Sequence, residues 1–355
     1  MRTGNIRWVL AAVLLVMICL LGGCRTNTSI QKENELVVFN YGDYIDRDTL
    51  KMFEKETGIK VKYEEYVTPE DMYTKYNSGV IDYDVICTSD YMIQKLAMEN
   101  ELIPLDWSSM ENRDNLDPRY LEICSGFDPD NRYACPYLFG TVGILYNQKE
   151  VKEEVDSWSI LWDPTYKDEI IMQDSMRDAF MVPLKWKGYS LNTKSKKELK
   201  EAQRLLIDQN PLVEAYLVDE SRDALIAGDA SMAVIYSGDA EVAIEANEDL
   251  SYAVPREGTN IWFDCWFVPK SCKHKEEAMK FIDFMNREDV AALNFDYILY
   301  GTPNKAVYES LDEETREDNT IFPDEATLGK CEIYNWLGED METYYSRLWK
   351  ELKAK

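Results

Sequence analysis

Gly258-Thr-Asn-Ile-Trp-Phe-Asp-Cys-Trp-Phe-Val-Pro-Lys270 is the stretch from which the rest of this 355-residue chain is best read. Ile261, Trp262, Phe263, Trp266, Phe267 and Val268 are aromatic or β-branched, the composition of a buried strand. Asp264 sits inside that run. An ionised carboxylate in apolar surroundings is costly unless a cation or hydrogen-bond donors meet it. Trp262 lies two residues earlier, so in a strand both side chains face the same way. An indole plate beside a carboxylate suits a small organic cation, which takes ring face and counter-charge together. The same residues also fit a core strand whose aspartate caps a turn or pairs with an arginine, and the stretch alone leaves both readings open.

Outward from this strand, the N-terminus reads as a leader. Arg2 and Arg7 precede a short apolar run, Val9 to Leu21, followed by Leu21-Gly22-Gly23-Cys24. The run is short for a membrane span and has the flanks of a secretory signal. Its last four residues resemble a bacterial lipobox, which implies cleavage before Cys24 and acylation of that thiol. Residues 1–23 are then signal peptide and 24–34 a lipidated polar tether. The remainder is long enough for two lobes with separate cores.

Lys and Arg number 39 against 66 Asp and Glu, a formal net charge of −27. That excess argues against nucleic acid and anionic lipid as partners and favours cationic ligands. It serves solubility equally well. Six cysteines follow Cys24 (Cys87, Cys124, Cys135, Cys265, Cys272 and Cys331), none in a CxxC pair, and His274 is the single histidine. A Cys/His zinc site and a His-dependent dyad are disfavoured on these numbers, and no metal or cofactor is expected. Local disulfides between Cys124 and Cys135, or Cys265 and Cys272, and free thiols all stay open.

Between the tether and residue 100, strands at 36–40, 61–66 and 85–87 alternate with helices at 48–57, 69–76 and 92–99. This pattern predicts an α/β layer with a mainly parallel sheet, whose ligands bind at the carboxyl ends of strands. Asn40-Tyr-Gly-Asp-Tyr44 and Ser89-Asp-Tyr91 stand at such ends. Residues 136–147 form an extended run with two glycines, read as a crossover between lobes. A second α/β pattern follows, with strands at 169–172 and 233–236 and a helix at 196–209. Helices are expected at 275–286, 288–296 and 339–353, the last presenting Tyr344, Leu348 and Leu352 on one face. The acidic region 309–325 reads as loop. The domain reading is 35–137 plus 263–303 for lobe 1 and 138–262 plus 304–355 for lobe 2.

Asn40-Tyr-Gly-Asp-Tyr44, Thr88-Ser-Asp-Tyr91, Phe139-Gly-Thr-Val-Gly, Asp174-Ser-Met-Arg-Asp178, Ile235-Tyr-Ser-Gly-Asp239, Ile261-Trp-Phe-Asp264 and Tyr300-Gly-Thr-Pro-Asn304 occur in that order. As an ordered set, from about Leu36 to the C-terminus, they resemble the spermidine/putrescine-binding component of bacterial ABC transporters. The resemblance implies a two-lobe periplasmic-binding-protein fold of α/β class, type II-like, closing on a polyamine in the cleft between lobes. It implies Tyr41, Tyr44 and Tyr91 on one wall, Asp43 and Asp178 toward the two terminal ammonium groups, and Ser89 as a polar contact. It implies Trp262 and Asp264 against the middle of the ligand, Tyr300 as a further wall residue, and Tyr236 where a tryptophan is common. The sequence departs from the family pattern at Ser175, where a second carboxylate is usual and only the adjacent Asp174 stands in. A second departure is Tyr334, where a glutamine is usual. Losing one carboxylate leaves room for putrescine beside spermidine.

The physics of the ligand fits these residues. A linear polyamine is a row of ammonium groups joined by methylenes, calling for spaced carboxylates with aromatic plates between them. The expected protein is a monomeric, extracytoplasmic, membrane-tethered binding lipoprotein rather than an enzyme. The sequence has no GxxxxGK[ST] motif, so a permease with a cytoplasmic ATPase would supply the energy. Two other readings remain at this stage. One is the same fold on another small solute, ferric iron among them, although Tyr344 and Tyr345 fall on the closing helix. The other is an extracellular glycoside hydrolase using Asp174 and Asp178.

Overall fold

The computed structural model describes residues 35–355. The signal segment, Cys24 and the tether to residue 34 lie outside the described residues. The chain folds as an α/β protein whose strands run in the order β2-β1-β3-β10-β5-β8-β6-β7, with β4 added to β10 and β9 to β5. These are β1 (Glu35–Tyr41), β2 (Lys60–Tyr66), β3 (Val85–Ser89), β4 (Leu102–Ile103), β5 (Ala134–Asn147), β6 (Ile170–Gln173), β7 (Val213–Leu217), β8 (Met232–Tyr236), β9 (Leu250–Ala253) and β10 (Ile261–Pro269).

The first lobe is built from β1 to β3 and their helices. The Asp46 side chain accepts from Asp48 N to start the Arg47–Thr57 helix, and Gly58 at φ 74° ends it. Thr68 caps the Pro69–Asn77 helix by accepting from Asp71 N. The expected helices at 275–286 and 288–296 form as Lys275–Met285 and Glu288–Ile298. In the second lobe, β6, β7 and β8 pack against the Met176–Trp186, Lys196–Gln209 and Glu339–Lys353 helices. Tyr344, Leu348 and Leu352 are buried together in that lobe's core.

The sheet is mixed rather than mainly parallel. β1 with β3, and β6 with both β7 and β8, are parallel. β10 is antiparallel to β3, β4 and β5, and β5 is antiparallel to β8 and β9. The reason lies in the crossovers. β5 carries the chain out of the first lobe, pairing β10 through Thr141 and then β8 and β9 from Val142 onward. β10 brings it back, so the two must run in opposite senses. A third segment joins them: Ile261 N donates to Glu332 O at 3.1 Å and Glu332 N to Thr259 O at 3.0 Å. Gly258, at φ 83°, is required there, because a Cβ would lie 2.1 Å from Lys330 O.

The acidic stretch expected as loop instead carries short helices at Lys305–Ser310, Glu313–Glu317 and Glu325–Leu328. Its aspartates do local work: Asp312 and Asp324 cap by accepting from Thr315 N and Thr327 N. Val307, Ile321 and Phe322 are buried in the same cluster as Phe39 and Phe263. All six cysteines among the described residues are free, and five of them are buried.

Candidate cleft for a cationic ligand

β1 and β3 end side by side, which brings Tyr41 and Ser89 together with their hydroxyl oxygens 2.7 Å apart. Asp264 stands directly across from Ser89 in the β10–β3 pairing. Tyr41 Oη donates to Asp264 Oδ1 at 3.3 Å. Asp264 also marks a register break against β5, where Asp264 pairs with Leu138 and Cys265 with Pro136, so Tyr137 is the extra residue. A bulge of this kind bends a strand and re-aims its neighbours. The alternation expected for β10 holds on the opposite face, where Ile261, Phe263, Cys265 and Phe267 enter the core.

The facing wall comes from the second lobe. Asp178, in the first turn of the Met176–Trp186 helix, is 4% exposed. Tyr236 Oη donates to its Oδ2 at 2.8 Å and Tyr334 Oη to its Oδ1 at 2.9 Å. Asp178 thus stands both at a helix N-terminus and on the cleft wall. From there a row of rings crosses the cleft. Tyr236 and Trp262 meet edge to face at 6.3 Å, Trp262 and Tyr300 at 5.0 Å, and Tyr300 and Tyr44 at 6.1 Å. Tyr300 Oη also donates to Asp239 Oδ2 at 3.1 Å.

Tyr41, Asp43, Tyr44, Ser89, Tyr91, Asp174, Ser175, Asp178, Tyr236, Trp262, Asp264, Tyr300 and Tyr334 all line this one cleft of about 1920 Å³. Their settings differ. Asp43 (φ 46°) and Asp174 are exposed at the rim, and Asp174 pairs with Lys353 at 2.8 Å. Asp174 and Asp178 are thus in unlike environments, one solvated and paired, the other buried between phenols. Tyr91 Oη donates to Glu70 Oε1 at 2.9 Å. Ser175 occupies the N-cap position of the Met176–Trp186 helix, with no side-chain cap bond.

Burial pushes the Asp264 carboxyl up to about 6, and the hydroxyls of Tyr44, Ser89 and Tyr41 pull it partly back. Burial, reinforced by Asp264, raises the phenols of Tyr41 and Tyr44 well above their ordinary range. Burial and then Asp178 do the same for Tyr236. Tyr41 and Tyr236 therefore act as neutral donors to Asp264 and Asp178.

Sequence reasoning overlooked several lining residues. Asp90 is fully buried, accepting from Tyr91 N at 2.6 Å and from Phe263 N at 3.3 Å. Asp239, Arg222 and Glu70 also line the cleft. Asp90 and Asp239 lay inside quoted motifs, each opening a helix directly after a strand, and that position was the available signal. Arg177 is a largely buried brace. It donates to Leu191 O at 3.2 Å, meets Glu342 at 3.4 Å and lies 4.5 Å over the Tyr334 ring. Among the described residues, no group of three or more His, Cys, Asp or Glu is placed to hold a metal, and no helix is long and apolar enough to cross a membrane.

Comparison with known proteins identifies the family. The family described as bacterial extracellular solute-binding protein matches residues 48–323. The spermidine/putrescine-binding periplasmic protein of Escherichia coli is 35% identical over 325 residues, covering 90% of this chain and 92% of its own. A putrescine/cadaverine-binding protein of Pseudomonas aeruginosa is 32% identical, covering 96% of this chain and 99% of its own. The crystal structure of a spermidine/putrescine ABC transporter substrate-binding protein from Streptococcus pneumoniae superposes with a TM-score of 0.83 at 39% identity, over 90% of this chain and 99% of that one. With a two-lobe mixed α/β fold, a cleft between the lobes and these relatives, the chain belongs to the bacterial extracellular solute-binding proteins.

Proposed function

We propose that this protein captures a linear polyamine, putrescine or spermidine, outside the cytoplasm and delivers it to an ABC permease. One observation carries the reading. Asp178 and Asp264 are 4% and 6% exposed, and among the described residues neither has an ion-pair partner. A buried carboxylate with hydrogen-bond donors but no counter-ion beside it gains most from a cation, so an ammonium suits each position. The rings of Tyr236, Trp262 and Tyr300 between them offer faces to the methylenes. Relatives named for spermidine, putrescine and cadaverine support the same ligand class.

The protein acts by binding and release rather than by catalysis. Cys24 carries the lipid that tethers it, and a monomer suffices, since both walls of the cleft come from one chain. Asp43, Tyr41, Tyr44, Ser89 and Tyr91 serve one side, and Asp178, Tyr236 and Tyr334 the other. The first lobe takes in 304–328 as well, because Val307, Ile321 and Phe322 share its core.

Titration calorimetry on protein lacking residues 1–24, with putrescine, spermidine, arginine and maltose, tests the reading. Micromolar or tighter binding of a polyamine, with silence toward arginine and maltose, is the expected result. Silence toward both polyamines overturns it, and turnover of a glycoside would restore the hydrolase reading.

A further inference from the structure

Asp264 sits where the sheet's own ladder is interrupted on both sides. On one side β3 ends at Ser89, the residue paired with Asp264, because the chain there turns into the Asp90–Met98 helix. On the other side the register against β5 breaks between Asp264 and Cys265. Where a buried strand runs out of partners, its N–H groups must be met in some other way. Asp90 meets one of them. Its side chain is wholly buried, and its Oδ2 accepts from Phe263 N at 3.3 Å, at the point along β10 where β3 would have continued. Its Oδ1 accepts from Tyr91 N at 2.6 Å, which holds the carboxyl in place. Burial pushes this carboxyl well above its ordinary range, the two N–H groups and Arg177 pull it back, and Asp264 adds to the rise. The bonds to the two N–H groups offset part of the cost of burying it.

The Phe263 side chain enters the core, whereas Trp262 and Asp264 on either side of it line the cleft. Resting on the polyamine reading above, we propose that Asp90 is a positioning residue for the ligand: by holding the Phe263 amide it sets where the Trp262 ring and the Asp264 carboxylate stand. It acts through them rather than by pairing with an ammonium, because both of its oxygens are already turned to backbone N–H groups. A polyamine needs plate and counter-charge at set positions, so a small displacement of this strand costs affinity even where the fold persists.

The test is a double-mutant cycle read by calorimetry with putrescine and spermidine. Asp90→Asn keeps the shape of the side chain but sets its NH2 group against one of the two N–H donors, and Asp90→Ala removes both acceptors. The expected result is a loss of polyamine affinity of about threefold or more in Asp90→Asn and about tenfold in Asp90→Ala. In the Asp264→Asn background the same substitutions should cost less than about twofold, because the charge they position is gone. In the Asp178→Asn background, on the other wall, they should cost as much as in wild type. A residue that only supports the fold would weaken binding equally in every background, and that result overturns the proposal. So does a loss below about threefold in Asp90→Asn, the variant that carries the cycle alone if Asp90→Ala does not fold. Either result leaves polyamine binding itself standing, whereas a wild-type protein that binds neither polyamine overturns the reading beneath the proposal, so the two failures are distinguishable.

Discussion

Asp264 carries a cost that a ligand can relieve, and the cost has a direction in pH. Its carboxyl sits near 6 in the folded protein because burial disfavours the charge, against about 3.9 in an unfolded chain. The fold therefore binds the proton more tightly than the unfolded state does. The stability this gives is fully present below about pH 4 and is lost as the pH rises through 6, on the order of 3 kcal/mol by neutral pH. Asp90, one residue beyond the partner strand and also raised by burial, steepens the same trend. Asp264→Asn should raise the melting temperature of the ligand-free protein at pH 7.5 and flatten its dependence between pH 4 and 7. The same variant should lose more than tenfold in polyamine affinity, because an amide cannot neutralise an ammonium in a dry cleft. Calorimetric melting across pH, with and without putrescine, reads both effects. A variant that melts lower than wild type at pH 7.5 would show that the carboxylate is already stabilised by the fold.

Position within β5 and β10 turns these residues into a site, and here the limits of the sequence are visible. Trp262 and Asp264 were legible as same-face neighbours because a strand has period two, and the helices at 196–209 and 339–353 announced themselves by their apolar stripes. The antiparallel sense of the crossover strands was not legible, since pairing direction is a long-range property that local composition does not encode. β7 and β9 are short and only partly buried, so they leave little apolar pattern. Arg222 and Asp239 lie 17 positions apart on different helices, and no spacing rule joins them. Close packing of strand on strand also explains Gly140. A Cβ there would lie 2.5 Å from Trp262 Cζ2 and 2.9 Å from Ser237 Oγ. The serine oxygen accepts from Thr141 N at 3.2 Å and the indole is held in the ring row, so either would have to shift. Gly140→Ala is therefore expected to fold with a loss of about 1–3 kcal/mol, the usual cost of overpacking. Its ligand affinity should fall about tenfold as the plate moves off Asp264, an energy of about 1.4 kcal/mol. Urea denaturation paired with calorimetry separates the two; unchanged affinity would mean that Trp262 is not part of the binding surface.

At the scale of the whole molecule, two fields act on a polyamine, and salt tells them apart. The chain carries a net charge of −27, and Glu65, Glu70, Asp219, Glu342 and Glu351 stand among the residues lining the cleft. A dication approaching from solution feels this excess over a screening length of about 30 Å at 0.01 M salt, and only about 10 Å at 0.1 M. Steering of this kind raises association rates and fades as salt is added. Inside the cleft the situation reverses. Asp178 and Asp264 are almost wholly withdrawn from water, and buried pairs are screened far less than exposed ones. Arg177 meanwhile braces the second lobe's wall through Glu342, Leu191 and the Tyr334 ring, so the pocket does not depend on bulk ions to hold its shape. Stopped-flow measurement of putrescine binding should accordingly show the association rate falling about tenfold between about 0.01 M and 0.3 M salt, with dissociation changing less than about threefold. If both rates instead change together, the ammonium groups are paired at the wet rim, with Asp43 and Asp174, and the buried carboxylates are bystanders. If neither changes, the acidic surface lies off the ligand's path and the composition serves solubility alone.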